Sequence, residues 1–544
     1  MSADPMPIPQ QSAAVLLIGV LALAAAATSL NNGFSYDDIH IILNNPAVHS
    51  LAHPGHRFLE RYWPPEVGVG LYRPITILAY AVQWALGNGA PFVFHLASVV
   101  LYAASAVLFL LLARRILSPA AALAAAALWA VHPVHVEAVA NVVGQSEIVA
   151  AIWIFAAALI YLRAREHGAL DTAAEIAIVG LYLLACLTKE HGLILPALLL
   201  VLEFTVLESR PYAPGLRRFY LTLAAVGLAC FAVRTAVLGD LAGDLPPYWM
   251  VGITTGQRWL TMLAVVPHWI RLLLWPAHLQ ADYGPRELEV ATGFGAAQAL
   301  GLLLLISIAL LGWTIRRRQP VITLGLLWAA VALLPVSNLL LPTGIALAER
   351  TLFLPSGAIC LSLGAVMEAA AARYEWRRVR LLLAAVVLAG LVRSALRQPV
   401  WKDNMTLFRQ TTIDAPLSYR AHWGYGSMLF DQGQREQGFR EMEIARSLFP
   451  RDTGLLLEMA RRLRNAGACQ AAVPLYREAM AVTASDELRW GTRTVLILCL
   501  LDLHDFAAAR AEAIEGQKQI VMASQFRHLE LYADSLAAVA TAKP

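Results

Sequence analysis

The sequence predicts an all-α protein in two parts: a polytopic membrane helical bundle of about 11 transmembrane helices, then an α-solenoid of helix-turn-helix repeats. Three observations carry this. Of 544 residues, 58% are hydrophobic and 15% charged, with a mean hydropathy of +0.58; ordinary soluble domains hold about 45–50% apolar and about 25% charged residues. Apolar runs of bilayer-spanning length recur up to residue 396. After Trp401 they stop, and an Arg/Glu-rich pattern with a 34-residue period takes over.

The composition excludes a wholly soluble enzyme and a disordered chain. A net charge of +4 gives no reason to expect nucleic acid. Cys186, Cys230, Cys360, Cys469 and Cys499 contain no CxxC spacing, so neither a zinc module nor a disulfide framework is expected. Lys189, Lys402, Lys518 and Lys543 are greatly outnumbered by arginines, which with the many alanines points to a GC-rich bacterial genome.

The spans are read near 13–30, 91–112, 119–131, 146–162, 172–188, 192–207, 217–237, 294–315, 320–340, 351–370 and 380–396. No Lys or Arg precedes the first, so a cleaved secretory signal is not expected. Arg114–Arg115, Arg163/Arg165, Arg210/Arg217/Arg218, Arg316–Arg318 and Arg373/Arg377/Arg378/Arg380 then share one side, which the positive-inside rule makes cytoplasmic. Residues 258–276 are apolar enough for another crossing, but that crossing would put Arg316–Arg318 outside. Arg258, Trp259, His268, Trp269, Arg271, Trp275 and His278 suit an interface, so 239–293 is read as an external loop with a re-entrant or interfacial helix. The reading is a multi-pass protein of the bacterial inner (plasma) membrane, with a cytoplasmic N-terminus. Its membrane domain spans 1–400, with external loops 31–90 and 239–293, a linker at 401–419 and an extracytoplasmic repeat domain at 420–544.

In that last part Gly433 recurs as Gly467, and Ala445 as Ala479 and Ala513. Small residues at these points let paired helices pack closely, and Trp423, Tyr425, Phe439 and Tyr476 fill the gaps. The 34-residue helix-turn-helix period resembles the tetratricopeptide repeat. Units are placed near 420–453, 454–487 and 488–521, with a capping helix to about 540.

Polar residues outside the spans fall into clusters. Phe34-Ser35-Tyr36-Asp37-Asp38 follows the first span, with Asn44-Asn45-Pro46 after it. Asp37 or Asp38 either caps the next helix or, with one pKa raised by its neighbour, is a general base for a hydroxyl acceptor. His132-Pro133-Val134-His135-Val136-Glu137, with Asn141, Gly144, Gln145 and Glu147, lies externally between the third and fourth spans. Pro133 breaks a helix through His132 and no third ligand has fixed spacing, so polar anchoring of a lipid phosphate or sugar is preferred to a metal. Thr188-Lys189-Glu190-His191 offers a Lys that either snorkels to headgroups or neutralises a phosphate. Ala348-Glu349-Arg350 offers a planar fork for phosphate, or an Arg350–Glu349 pair. Asp282-Tyr283 lies in the long external loop, within reach of a cavity. Carboxylates and cations on one face suit transfer of a group from an anionic lipid to an external acceptor.

These pieces, with Tyr72-Arg73-Pro74, the run His132 to Val139, Thr188-Lys189-Glu190-His191-Gly192, Ala348 to Pro355 and Trp401-Lys402-Asp403, resemble the transmembrane and tetratricopeptide-repeat-containing O-mannosyltransferases. The similarity runs in the same order along nearly the whole chain. It implies the C-type glycosyltransferase architecture and a polyprenyl-phosphate sugar donor, likened to mannose transfer to Ser/Thr of exported proteins or to an envelope glycan. It implies Asp37 or Asp38 as the catalytic acidic residue, and Arg350 with Lys189 at the donor phosphate. His132, His135, Glu137, Glu190, Asp282 and Tyr283 would line the substrate site, and the repeats would engage the acceptor. No cofactor and no metal are expected; membrane lipids are partners and nucleic acid is not. The alternative is a non-catalytic membrane-anchored repeat scaffold for envelope assembly, but an anchor needs one span. A transporter ranks last, because the ionisable residues sit at span ends rather than mid-span.

Overall fold

The computed structural model describes residues 8–64, 70–166, 168, 170–207, 214–240, 248–518 and 522–541. Among these every regular element is helical. The chain divides into two compact units, Met1–Asp414 and Ala415–Pro544. Arg210 and residues 241–247 of the expected external loop lie outside the described residues.

The first unit runs α1 (Ile8–Ala26), α2 (Pro74–Gly87), α3 (Pro91–Ala113), α4 (Pro119–Ala130), α5 (Val136–Ala140), α6 (Gln145–Glu166) and α7 (Thr172–Thr188). It continues through α8 (Leu195–Thr205), α9 (Pro214–Leu238), α10 (Thr255–Leu274), α11 (Ala296–Ile315), α12 (Pro320–Leu333), α13 (Phe353–Ala371), α14 (Trp376–Arg397) and α15 (Asn404–Asp414). Proline opens α2, α3, α4 and α12, where a missing N–H costs nothing. Each apolar run read from the sequence is helical over most of its length. Among the described residues seven helices are long and apolar enough to cross a membrane. An eighth crossing forms if α4 and Pro133–Ala140, bent by 46° at the His132-Pro133 break, are one span. Pro74–Gly87, Thr172–Thr188 and Pro320–Val336 are shorter apolar helices. The protein is therefore a multi-pass membrane protein.

The core of this unit lies around Trp129, Phe109, Phe155 and Phe353, whose rings meet edge-on, tilted or stacked. Small residues set helix separations where lipid gives no hydrophobic drive. At Gly325 of α12, a Cβ would lie 2.5 Å from the Ala358 carbonyl oxygen of α13. The α6 and α13 spans are the most enclosed, while α9, α11 and α14 face outward.

Two segments differ from expectation. Inside the expected loop 31–90, residues 74–87 form α2, started by Pro74 and ended by Asn88 in the left-handed region (φ 48°). The stretch 401–419, expected as a linker, holds α15. Asp403 caps its start by accepting the Thr406 N–H at 2.8 Å, and Trp401 and Leu407 are buried with Val136 and Ala140. Its polarity reads as a connection because its apolar residues are few and meet partners distant in sequence.

The second unit is a succession of helices: α16 (Tyr419–Asp431), α17 (Arg435–Leu448), α18 (Thr453–Asn465), α19 (Cys469–Val482), α20 (Asp486–Asp502), α21 (Phe506–Gln517) and α22 (Ala523–Thr541). Ser418, Asp452 and Ser485 cap α16, α18 and α20 through side-chain oxygens. Gly433 and Gly467 take positive φ (83° and 77°) at the hairpin turns, which explains their recurrence. Cysteine spacing announces no disulfide, yet α19 and α20 are joined by Cys469–Cys499, with Cα atoms 5.3 Å apart. Helix packing, not local spacing, brings these thiols together.

Candidate active site

The acidic segment after α1 is held by distant chain. Asn32 Nδ2 donates to the Gln398 carbonyl at 2.9 Å, and the Gly33 N–H to the Lys402 carbonyl at 2.8 Å. Ser35 Oγ donates to the Trp401 carbonyl at 3.1 Å, and the Tyr36 N–H to Asn404 Oδ1 at 2.6 Å. Tyr36 has φ +54°, a conformation L side chains rarely adopt. Its ring meets Trp401 and Phe408 edge-on. Such strain persists where surroundings over-determine it, and here it precedes the acidic pair.

The two carboxylates then part company. Asp38 is fully buried and accepts three backbone N–H groups: Val143 at 2.9 Å, Val142 at 3.3 Å and Ser35 at 3.4 Å. It ties the first loop to the turn that opens α6. Burial pushes its pKa up from 3.8 to about 7, against the lowering by those three N–H groups, with Asp37's charge raising it further. Asp37 keeps a 21% exposed side chain, and its Oδ2 lies 3.8 Å from Arg350 Nη2.

A raised folded pKa means the folded protein holds a proton that the unfolded chain releases. The stability so gained is complete below pH 3.8 and is lost as pH rises through about 7. The apparent Tm in detergent is therefore expected to fall by several degrees between pH 5 and pH 8. Asp38→Asn should flatten that slope, and should lower Tm throughout because an amide NH₂ cannot receive N–H donors, each orphan costing about 1–3 kcal/mol. An equal slope in the two proteins would remove Asp38 as its source.

Gly144 closes the same turn. A Cβ there would sit 2.6 Å from Ala138 Cα and carbonyl oxygen. Gly144→Ala is expected to destabilise by about 1–3 kcal/mol through overpacking, checked by thermal unfolding.

Arg350 stands beside Asp37. Its Nη1 donates to Glu137 Oε1, and its backbone N–H donates to Glu137 Oε2 at 2.9 Å. The Glu137 side chain is 1% exposed and that of Arg350 12%. The neighbouring Glu349 points the other way. Its Oε1 accepts the Gln280 N–H at 2.6 Å and the Tyr283 hydroxyl at 3.0 Å. The Asp282-Tyr283 loop is thus pinned next to Arg350, with Tyr283 buried and Asp282 half-buried.

A second charged cluster follows α7. Lys189 Nζ lies 2.7 Å from Glu147 Oε1, both buried, and His191 Nδ1 lies 3.3 Å from Glu147 Oε2. Burial pushes the Lys189 ammonium down to about 8, against the pull of Glu147. Glu190 receives Arg73 from two nitrogens at 2.7–3.2 Å. Burial alone would raise its pKa, but Arg73's charge and hydrogen bonds hold it at about 2. Arg73 stands 4.9 Å over the Tyr62 ring, and the buried Tyr62 hydroxyl feels both Arg73 and Asp37.

Of the two histidines read as lining the substrate site, His132 is half-buried and His135 buried. His132 donates from Nε2 to the Leu273 carbonyl at 3.1 Å and accepts the Val134 N–H at Nδ1. His135 is hydrogen-bonded at both nitrogens, to Tyr102 at 2.9 Å and Ser356 at 2.7 Å, among the rings of Trp129 and Phe353. Both seal the break after α4. Among the described residues no three His, Cys, Asp or Glu are grouped to hold a metal.

The structure thus brings together Asp37, Arg350, Glu137, Tyr283 and Glu349, and separately Lys189, Glu190, Glu147 and His191. Sequence reasoning missed Arg73 and Tyr62 as site residues. The available signal was an Arg immediately before the proline that opens α2.

No model of a known protein family matches the chain. Over 430 residues it is 24% identical to a protein O-mannosyl-transferase of Caenorhabditis elegans, covering 77% of this chain and 60% of that protein. It is 27% identical over 489 residues to protein O-mannosyl-transferase TMTC4 of Homo sapiens, covering 78% and 65%. With TMTC3 of Homo sapiens the identity is 25% over 507 residues, covering 86% and 54%. The chain spans less than two thirds of the length of each of these relatives. Among solved structures, an Archaeoglobus fulgidus oligosaccharyltransferase tethered with an acceptor peptide aligns at 15% identity and TM-score 0.41, covering 76% of this chain and 58% of that one. ArnT from Cupriavidus metallidurans bound to undecaprenyl phosphate aligns at 15% identity and TM-score 0.40, covering 93% and 80%. The resemblance carried by the motifs extends over most of the sequence, where the chain is similar to protein O-mannosyl-transferases at 24–27% identity.

Proposed function

We propose that this protein is an integral membrane glycosyltransferase. It moves a sugar, mannose in this reading, from a polyprenyl-phosphate donor to a hydroxyl of an exported protein on the extracytoplasmic face. The observation that supports this best is the partly exposed Asp37 carboxylate 3.8 Å from a half-buried arginine fork. A base and an anion-binding group stand side by side, as a reaction with a hydroxyl nucleophile and a phosphate leaving group requires. The relatives' names support the sugar and the acceptor.

In this mechanism Asp37 takes the proton of a Ser or Thr hydroxyl. The oxygen attacks the anomeric carbon, inverting it, as the bond from that carbon to the phosphate oxygen breaks. Arg350 meets the charge left on the polyprenyl phosphate, and Glu137 fixes the plane of its guanidinium. Arg73 is a second cation for the donor, whereas Lys189 serves Glu147. Asp38 positions the base without touching substrate. The repeats of the second unit engage the acceptor, and no step is routed through a metal.

The test is transfer from labelled polyprenyl-phosphate mannose in membranes containing the full chain, with Asp37→Asn as control. Label entering exported protein only with the wild type is the expected result. No transfer from any of a panel of polyprenyl-phosphate sugars, with acceptor proteins supplied, would leave the scaffold reading in its place.

A further inference from the structure

We propose that Cys469–Cys499 is a covalent staple that locks one junction of the repeat unit. The inference rests on the extracytoplasmic placement proposed above, and its test is independent of sugar transfer.

The position of the bond argues for a staple. Cys469 opens α19 and Cys499 lies near the end of α20, so the bridge joins one helical hairpin to the next. Both side chains are buried, at 4% and 0%. In repeat arrays each unit touches only its neighbours, so such junctions are where the array bends. One period earlier the same places hold Arg435, opening α17, and Asn465, ending α18. That earlier junction has no bridge among its described residues and carries ion pairs, Arg462 to Asp431 at 2.7 Å and Arg446 to Glu478 at 2.6 Å; the second has Arg477 to Glu512 at 3.7 Å beside its bridge. The bridge is therefore particular to the second junction rather than a requirement of the repeat. Among the described residues it is the one disulfide; Cys186, Cys230 and Cys360 lie in the apolar helices of the first unit.

Such bonds persist in oxidising compartments and are rare where thiols are kept reduced. In forming it, the two thiols lose two protons and two electrons to the disulfide of a thiol–disulfide oxidase, which leaves as a dithiol.

The experiment uses the full chain in its membrane. Free thiols are alkylated, the protein is digested with trypsin without reduction, and peptides are weighed. The expected species is 465–477 linked to 494–510. Finding both peptides separately alkylated would overturn the bond and leave the transferase reading untouched. In parallel, hydrogen exchange is followed with and without reductant. Peptides of α19 and α20 are expected to exchange about tenfold faster or more once reduced, with α16 and α17 unchanged and Cys469→Ala/Cys499→Ala matching the reduced protein. A linked peptide with unchanged exchange would show a bond that locks nothing.

Discussion

Asp37→Asn is expected to lower sugar transfer by roughly 10²–10⁴-fold, the range for losing a positioned general base, while lowering stability by no more than about 1 kcal/mol, the size of a weak ion pair. The second part follows from geometry. Asp37 makes one long contact, 3.8 Å to Arg350, whereas Asp38 holds three N–H groups. A variant changing both carboxylates would mix loss of chemistry with loss of the turn at 142–144, so the single change is the informative one. Transfer at wild-type rate in a folded Asp37→Asn protein would sink the base assignment.

Arg350→Ala is expected to cost roughly 100-fold or more in turnover, by analogy with removal of an oxyanion donor, and also about 3–5 kcal/mol of stability. The stability loss arises because Glu137, 1% exposed, is left buried without its ion-pair partner. The two effects separate in Arg350→Ala/Glu137→Gln. Neutralising Glu137 should restore much of the stability, read as Tm, and none of the transfer. If transfer returned with stability, Arg350 would be a structural partner of Glu137 and not the group that meets the leaving phosphate.

These two residues show how much of the site was legible. Arg350 and the acidic pair stood out because charges beside apolar spans are rare and costly. Which carboxylate faces open space was not legible. Adjacent residues have the same local pattern, and only the approach of Val142 and Val143 decides that Asp38 is enclosed. Lys189 read as a phosphate ligand because it is a cation at a span end. Its partner Glu147 lies 42 residues earlier, and nothing in the spacing joins them. His132 and His135 read as lining the site because imidazoles beside a proline break suggest function, while the tyrosine, serine and carbonyl that occupy them come from other helices.

The sequence by itself determined the helical class, the membrane location of the first unit, the change of character after Trp401 and the helical period of the rest. All of these depend on local composition and on patterns repeated within one or two turns or one repeat, which act before any distant contact forms. Tertiary structure alone decided the roles within the charged clusters, the clamp of residues 398–404 on the acidic loop, and the disulfide. Each joins groups that are far apart along the chain, or chooses between neighbours of equal local character. Burial and hydrogen-bond partners set those outcomes, and they exist only once the helices have packed.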